Sequence, residues 1–123
     1  MTRFKLKPDF HFGILNEEGE VIPATLEEWA NFLETPARAI ACDYFNDQRF
    51  LVSTVFIGLQ FLHGGSNWFE TMVFGPKTEQ EIMGKTLDIR PSLWQKRVDT
   101  LAKARQAHRE GIDWLKQNHL MSQ

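Results

Sequence analysis

The sequence predicts an α+β domain with an antiparallel sheet of about five or six strands, a short N-terminal helix and a long C-terminal helix packed on the sheet. Three observations lead to this fold class. Between residues 37 and 75, runs rich in β-branched and aromatic residues alternate with short turn sequences. A capping box precedes a short amphipathic segment at 25–35. From residue 93 to about 118 the chain has no proline, and apolar residues recur at spacings of three and four.

The residues near the N-terminus predict a first hairpin at the edge of the sheet. The segments 10–15 and 20–22 carry its apolar residues, and Asn-Glu-Glu-Gly at 16–19 lies between them. Asn and Gly tolerate the positive φ that such turns use, so this stretch is typical of a turn.

The first helix is expected to begin after Thr25 and to run to about Thr35. Thr25 and Glu28 form a capping box, in which the hydroxyl and the carboxylate satisfy free amides at the helix start. Trp29 belongs to an apolar stripe that should pack on the sheet, and Pro36 cannot continue the helix.

A three-stranded meander is predicted in the middle of the chain. The apolar runs 37–45 and 49–62 flank the turn sequence Asn-Asp-Gln at 46–48. The segment His-Gly-Gly-Ser at 63–66 supplies the next turn, and 67–75 returns as the third strand. These strands should pair as antiparallel neighbours and form the core of the sheet.

The segment after the meander carries one helix signal and one strand signal. Thr78 and Glu81 form a second capping box, which predicts a helical turn that Gly84 stops in a left-handed cap. Residues 86–89 predict a further short strand.

The long C-terminal helix is expected to run from Leu93 to about Asn118. Ser92 and Gln95 form a third capping box at its start. Gly111 costs about 1 kcal/mol inside a helix and can weaken or bend it, so the pattern also allows two segments. The stripe that must face protein comprises Trp94, Val98, Leu101, Arg105, His108, Ile112 and Leu115.

Length and charge limit the classes of protein that the chain can belong to. With 123 residues and 14.3 kDa, it has the size of one domain that can bury a core without disulfides or metal. A formal net charge of −2 provides no overall attraction to nucleic acid or anionic lipid, so direct DNA binding is not expected. The apolar run 51–62 is too short for a membrane helix, which needs about 20 residues.

The remaining composition predicts a cytosolic protein without a metal or cofactor. One cysteine, Cys42, excludes an internal disulfide framework, and we find no secretory signal pattern. The histidines stand in no metal-binding spacing; they are His11, His63, His108 and His119. The Gly-Gly pair at 64–65 lacks the residues of a phosphate-binding loop and predicts a hairpin turn instead.

Two polar residues lie at inward positions of the predicted C-terminal helix. A buried, unpaired guanidinium costs several kcal/mol, so Arg105 needs a partner. That partner is a carboxylate of the same chain, with Glu70 and Asp88 as candidates, or else an anionic ligand or the carboxylate of a second chain. His108 is either a hydrogen-bonded core histidine or a proton shuttle.

Glu70 is the third unusual residue, because strand alternation places it beside Trp68, Met72 and Phe74. If the long helix covers that face, Arg105 or His108 could pair with Glu70. A structural salt bridge and a binding site explain this pattern equally well.

Three classes of function follow from these residues. Binding of a ligand without turnover is the first. A protein-binding inhibitor or adaptor, acting through Trp68, Phe74, Trp94 and Trp114, is the second. A small enzyme that uses Glu70 and His108 for acid–base chemistry is the third. Homodimers or higher oligomers, and a host protein as partner, fit the second class.

Five stretches together resemble a widespread family of small proteins encoded by phages and prophages. They are LEEWANFLE at 26–34, VSTVFIGL at 52–59, FETMVFG at 69–75, RPSLW at 90–94 and AxxxH at 104–108. The order of these motifs is that of the family. Membership implies an accessory role for a phage in the cytosol of its bacterial host.

The family is in turn similar to phage anti-Thoeris proteins, which sequester a cyclic ADP-ribose signal in a pocket of arginines and an aromatic ring. This resemblance implies a nucleotide-like ligand. Gln60 and Pro76 depart from the family's motifs, which place Asp and Gly there. The candidates that the resemblance carries over are Arg49, Arg90 and Arg105 or Arg109 for phosphates, and Phe69 or Trp94 for stacking on a base.

Overall fold

Three antiparallel sheets and two α-helices make up residues 12–59 and 67–120, which the computed structural model describes. The strands are β1 (Gly13–Leu15), β2 (Val21–Pro23), β3 (Ala39–Phe45), β4 (Phe50–Phe56), β5 (Phe69–Phe74), β6 (Thr78–Ile82), β7 (Lys85–Ile89) and β8 (Ser92–Val98). The helices are α1 (Leu26–Leu33) and α2 (Leu101–Leu115), with a 3-10 turn at Pro36–Arg38 and a π-helical turn at Lys116–Leu120. The predicted α+β fold class is confirmed.

The central sheet has four strands in the order β3-β4-β5-β8, all antiparallel. The predicted meander is therefore confirmed, although its second turn, at 63–66, lies outside the described residues. The other strands form two hairpins, β1-β2 and β6-β7. The β5–β8 ladder ends at Gly75 and Pro91, where Gly75 N donates to Pro91 O over 2.8 Å. Proline has no N–H with which to continue the ladder, so β6 and β7 form a separate ribbon.

One face of the central sheet carries the core and is covered by α2. Side chains of β4 and β5 alternate between this buried face and a more exposed one, as the two-residue period of a strand requires. Side chains fully buried on this face are Val52, Thr54, Phe56, Phe69, Thr71 and Val73, with Leu115 from α2. Glu70 follows Phe69 directly and so lies on the opposite face.

The predicted N-terminal hairpin and first helix are confirmed, but the hairpin forms a two-stranded sheet of its own instead of an edge of the central sheet. Hairpin β1-β2 forms around the turn at 16–19, and the capping box at the start of α1 is complete. Glu28 N donates to Thr25 Oγ1 over 3.1 Å, and Thr25 N donates to Glu28 Oε1 over 2.8 Å. Half-buried Trp29 joins this layer to the sheet because its Nε1 donates to Ile57 O over 2.9 Å.

The predicted start of the long helix is wrong. Ser92–Val98 is strand β8, and α2 begins at Leu101 after an N-cap at Thr100. Trp94 and Val98 are four residues apart, a spacing that fits one helical turn and also two periods of a strand. The spacing therefore predicts a helix where the structure has a strand. Strand β8 places both side chains against α2.

The second predicted helical turn is also wrong, because Thr78 and Glu81 lie in strand β6. The stretch Thr-Glu-Gln-Glu-Ile has no apolar stripe that could stabilise a helix. Gly84 does have the predicted positive φ, 81°, but it lies in the turn between β6 and β7. The short strand predicted at 86–89 is confirmed as β7.

Helix α2 is continuous through Gly111, which allows it to lie close to the sheet. A Cβ at this position would be 3.2 Å from Trp94, 3.3 Å from Val73 and 3.4 Å from Thr71. The glycine thus costs helix propensity but permits close packing. In the described part of the chain, no helix is long and apolar enough to cross a membrane.

An exposed ion pair joins α2 to the edge strand β8. Lys96 Nζ donates to Glu110 Oε1 over 2.7 Å. This hydrogen bond from the ammonium holds the pKa of Glu110 below its ordinary value. Because both side chains are well exposed, the pair orients the helix more than it stabilises the fold.

We expect Gly58→Ala to destabilise the protein more than Gly84→Ala. Both glycines have positive φ, 69° and 81°, so both substitutions carry a backbone cost of about 1 kcal/mol. A Cβ at Gly58 would also lie 2.6 Å from the Gly13 carbonyl oxygen, whereas a Cβ at Gly84 meets nothing within 4 Å. Urea titration should show a loss in unfolding free energy of about 2–4 kcal/mol for Gly58→Ala and at most about 1 for Gly84→Ala. Equal losses would contradict this packing.

Candidate functional site

A cavity of about 550 Å³ lies at the end of the central sheet where the β3–β4 turn meets the end of α2. Its size is within the range of small-molecule sites, about 300–1,000 Å³. The residues that line it are Asn46, Arg49, Phe50, His119 and Leu120. They provide an amide, a guanidinium, an imidazole and an aromatic ring within one concave surface.

The turn on one side of the cavity has an unusual backbone. Asn46, Asp47 and Gln48 are consecutive non-glycine residues with φ values of 55°, 59° and 68°. The left-handed region costs non-glycine residues about 1–2 kcal/mol each, although Asn and Asp tolerate it best. Such strain is found most often at functional sites, where the surrounding structure holds it in place.

Arg90 holds this turn in its strained shape. Its Nη1 donates to Arg49 O and to Gly75 O, both over 3.0 Å, and its Nη2 donates to Gln48 O over 2.8 Å. The guanidinium also lies 6.0 Å from the centre of the Tyr44 ring. These contacts commit Arg90 to backbone carbonyls and place it behind the cavity wall.

The opposite side of the cavity is the π-helical turn Lys116–Leu120. The imidazole of His119 packs between two aromatic rings, with centroids 5.5 Å from Phe50 and 5.4 Å from Trp114. Single π-helical turns are rare and often occur at functional sites. Two irregular backbone segments therefore meet at the same cavity.

The lining favours a ligand with both negative charge and a flat ring. Arg49 can grip phosphate or carboxylate oxygens in pairs, and Asn46 can donate from its amide. The rings of Phe50 and His119, tilted by 43° relative to each other, offer aromatic surface. The end of α2 carries partial negative charge, so an anion is better held on the Arg49 side and a ring on the His119 side.

A second polar cluster lies within the core, between α2 and the sheet. Thr71 Oγ1 and Thr54 Oγ1 are 2.6 Å apart, and Thr54 Oγ1 is 2.8 Å from His108 Nδ1. His108 Nε2 is 2.7 Å from Asp43 Oδ2. Both threonines and the histidine are buried, whereas about half of the Asp43 side chain is exposed. Of the two alternatives predicted for His108, its position matches the hydrogen-bonded core histidine.

The donors in this chain follow from the carboxylate at its end. An ionised Asp43 can only accept, so His108 Nε2–H donates to it. In a neutral imidazole, Nδ1 then accepts, which requires Thr54 to donate to His108 and Thr71 to donate to Thr54. Every buried member of the chain thus has a partner, as a stable buried network requires.

This cluster contains a hydroxyl, an imidazole and a carboxylate, but its arrangement does not present a nucleophile. Thr54 has no exposed surface, so a substrate cannot reach its hydroxyl. Glu70 cannot act together with His108 either, because the two side chains lie on opposite faces of the sheet. We therefore assign the cluster to positioning α2.

Glu70 pairs with neighbours on the exposed face of the sheet. Arg97 Nε donates to Glu70 Oε2 over 3.0 Å, and Gln95 donates to the same oxygen. Arg97 is its direct cross-strand partner in the β5–β8 ladder. The predicted pairing of Glu70 with Arg105 or His108 is therefore wrong, because the long helix covers the other face.

The structure does not bring the eight sequence-predicted ligand residues together. Arg49 lines the cavity, and Arg90 braces it from behind. Phe69 has no exposed surface, and half-buried Trp94 packs in the core beneath α2, so neither offers a ring face to a ligand. Glu70 and His108 lie on opposite faces of the sheet, and Arg105 and Arg109 are on the exposed side of α2.

The prediction that Arg105 points inward is wrong. The helical face that packs on the sheet is centred on Ala104, Ala107, His108, Gly111 and Leu115. The predicted stripe follows the large residues Leu101 and Ile112, which are only half-buried, whereas small residues line the part of the helix that lies closest to the sheet. The ligand-binding role of Arg105 and that of the other predicted residues stay predictions.

Sequence reasoning missed Asn46, Phe50, His119 and Leu120 as neighbours in one cavity. The available signal was the Asn-Asp-Gln turn, whose composition suits positive φ. It also missed the Thr54–Thr71 contact, although each threonine interrupts an apolar strand at an inward position. In residues 12–59 and 67–120, no three His, Cys, Asp or Glu side chains are grouped as metal ligands. Comparisons with protein-family models, curated proteins and solved structures found no match to the chain.

Thr54→Val is expected to destabilise the protein by about 1–3 kcal/mol. Valine keeps the volume but leaves His108 Nδ1 and the Thr71 hydroxyl without a buried partner. The neighbouring change Ser53→Ala, on the exposed face, serves as control and should stay within about 0.5 kcal/mol of the wild type. Urea unfolding of both variants measures the difference. A Thr54→Val variant as stable as Ser53→Ala would contradict a stabilising role for the hydrogen bonds of Thr54.

Arg90→Lys is expected to loosen the strained turn. One ammonium cannot reach three carbonyls in the geometry of a planar guanidinium, so a loss of about 1–3 kcal/mol is expected. The Arg49 amide, which donates to Asn46 O over 3.2 Å across the turn, should exchange its hydrogen faster. Arg38→Lys, at an exposed position, is the control. Unchanged exchange at Arg49 would show that Arg90 does not hold the turn.

Proposed function

We propose that the chain binds a small anionic ligand with a flat ring, of the nucleotide type, in the cavity between Asn46, Arg49 and His119. The observation that carries the proposal is the meeting of two irregular backbone segments, the left-handed turn and the π-helical turn, at a cavity that combines a guanidinium with the rings of Phe50 and His119. Both conformations cost free energy relative to regular structure, and a binding site accounts for that cost.

The proposal includes an orientation of the ligand. Phosphate oxygens would lie toward Arg49 and Asn46, and the ring would lie against the imidazole of His119. An arginine suits phosphate because its planar fork donates two parallel hydrogen bonds. His119 suits a base because tilted contacts with Phe50 and Trp114 hold its ring while the residue stays exposed.

Binding without turnover is the activity that the cavity residues support best. The described residues that line the cavity include no hydroxyl or thiol nucleophile and no carboxylate that could act as a base beside His119. The resemblance to phage proteins adds a biological context to the proposal. In it, the protein acts in the cytosol of the bacterial host as a counter-defence protein that sequesters a cyclic ADP-ribose type of signal.

Isothermal titration with cyclic ADP-ribose isomers, ADP-ribose, AMP and inorganic phosphate tests the proposal. We expect at least one ring-bearing probe to bind and to be recovered unchanged after denaturation of the protein. Arg49→Ala should weaken its binding roughly tenfold to a hundredfold, because a charge-assisted contact is lost. His119→Ala should weaken binding of ring-bearing probes but not of inorganic phosphate.

Arg38→Ala, which removes an exposed arginine away from the cavity, is the matched control and should bind like the wild type. If none of the probes binds, or if Arg38→Ala weakens binding as much as Arg49→Ala, the cavity is not the site. If a probe is chemically altered during the titration, the protein is an enzyme and the proposal of sequestration is wrong.

A further inference from the structure

The ribbon formed by β6 and β7 projects from the rest of the protein. In the part of the chain that the structure describes, its strands make substantial contacts only with each other, and every residue of Thr78–Asp88 is exposed. Five residues per strand give it a length of about 17 Å. A two-stranded ribbon is marginally stable in water by itself, so a ribbon of this kind gains stability from a partner.

The tip of the ribbon adds a second reason to expect a partner. Met83 and Gly84 form the turn with φ values of 53° and 81°, and Asn is the residue usually found at the first of these positions. Met83 instead combines backbone strain with a side chain that is 97% exposed. An exposed, flexible apolar side chain is typical of binding surfaces.

One face of the ribbon is acidic and carries an unfavourable pair. Glu79 and Asp88 are direct cross-strand partners, and Glu81 lies on the same face. Like charges directly opposite each other destabilise a ribbon. Within the described residues none of these carboxylates is in an ion pair, so a cationic surface that covered the face would relieve their repulsion.

The exposed side of α2 carries the complementary charges. Arg105, Arg109 and Lys116 lie within about 40° of one another around the helix, at 100° per residue. None of them forms an ion pair or hydrogen bond with another described residue. Arg105 and Arg109 are about 6 Å apart along the helix, and Glu79 and Glu81 are about 7 Å apart along β6. We call these three cations the basic stripe.

We propose that the protein forms a two-fold symmetric homodimer in which the acidic face of each β6-β7 ribbon lies on the basic stripe of the other copy. A two-fold interface uses the same two surfaces on both copies, and this chain provides both. A second copy is the partner that these surfaces indicate, because each matches the other in charge and in spacing. Among the described residues of one chain, the ribbon and α2 make no substantial contact with each other.

Sedimentation equilibrium over a range of protein concentrations tests the dimer. The wild type should dimerise, and the double variants Arg105→Glu/Arg109→Glu and Glu79→Lys/Glu81→Lys should each weaken dimerisation roughly tenfold or more. Combining all four changes restores opposite charges across the interface and should restore the dimer. Salt at 1 M, where the Debye length is about 3 Å, should weaken the wild-type dimer.

Lys103→Glu is the control, because Lys103 lies on another side of α2 and pairs with Asp99 over 3.2 Å. It should leave dimerisation unchanged, and circular dichroism should show that all variants keep the fold. A wild type that stays monomeric at every concentration would overturn the proposal. So would double variants that dimerise like the wild type, or a fourfold variant that stays monomeric while folded.

Discussion

The hydrogen-bond chain from Thr71 through Thr54 and His108 to Asp43 determines how helix α2 lies on the central sheet. Its members come from three strands and the helix, so the rotation of α2 about its axis cannot change without leaving a buried polar group unpaired. The ion pair between α2 and β8 acts at the other edge of the sheet. Between these two attachments the helix approaches the strands closely, which a glycine in its buried face permits.

The position of α2 in turn places the two surfaces to which we assign functions. Its carboxyl end meets the β3–β4 turn and closes the cavity, and its exposed side presents the basic stripe. Arg90 connects the cavity to a third surface, the β6-β7 ribbon, because it directly follows β7 and also holds the strained turn. The root of the ribbon and the wall of the cavity therefore share one guanidinium. A polar cluster in the core and a single arginine at the edge thus organise these surfaces.

Much of the fold could be predicted from local patterns. Local sequence is enough to predict the start of α1 from the capping box at Thr25 and the β3–β4 turn from Asn-Asp-Gln. It is also enough to predict the buried face of β4 and β5 from their alternation. The errors have one physical origin. Over a short stretch, the spacing of apolar residues does not distinguish a helix from a strand, or one face of a helix from the next. Trp94 and Val98 satisfy a helix and a strand equally. Arg105 shares the spacing of Leu101 and Ile112, but α2 turns its small residues, centred on Ala107 and Gly111, toward the sheet. The capping-box pattern at Thr78 is not followed by an apolar stripe, so no helix forms there.

The sequence by itself determined the fold class, the central hairpin and the burial of His108, because these depend on burying apolar side chains at fixed local periods. Tertiary structure decided which polar residues meet. The partners of His108, Glu70 and Arg90 lie between 15 and 65 positions away in the sequence. The cavity depends on residues from two turns that are distant in sequence. The spacing of residues within a short segment cannot show that two such turns meet at the same edge of a sheet.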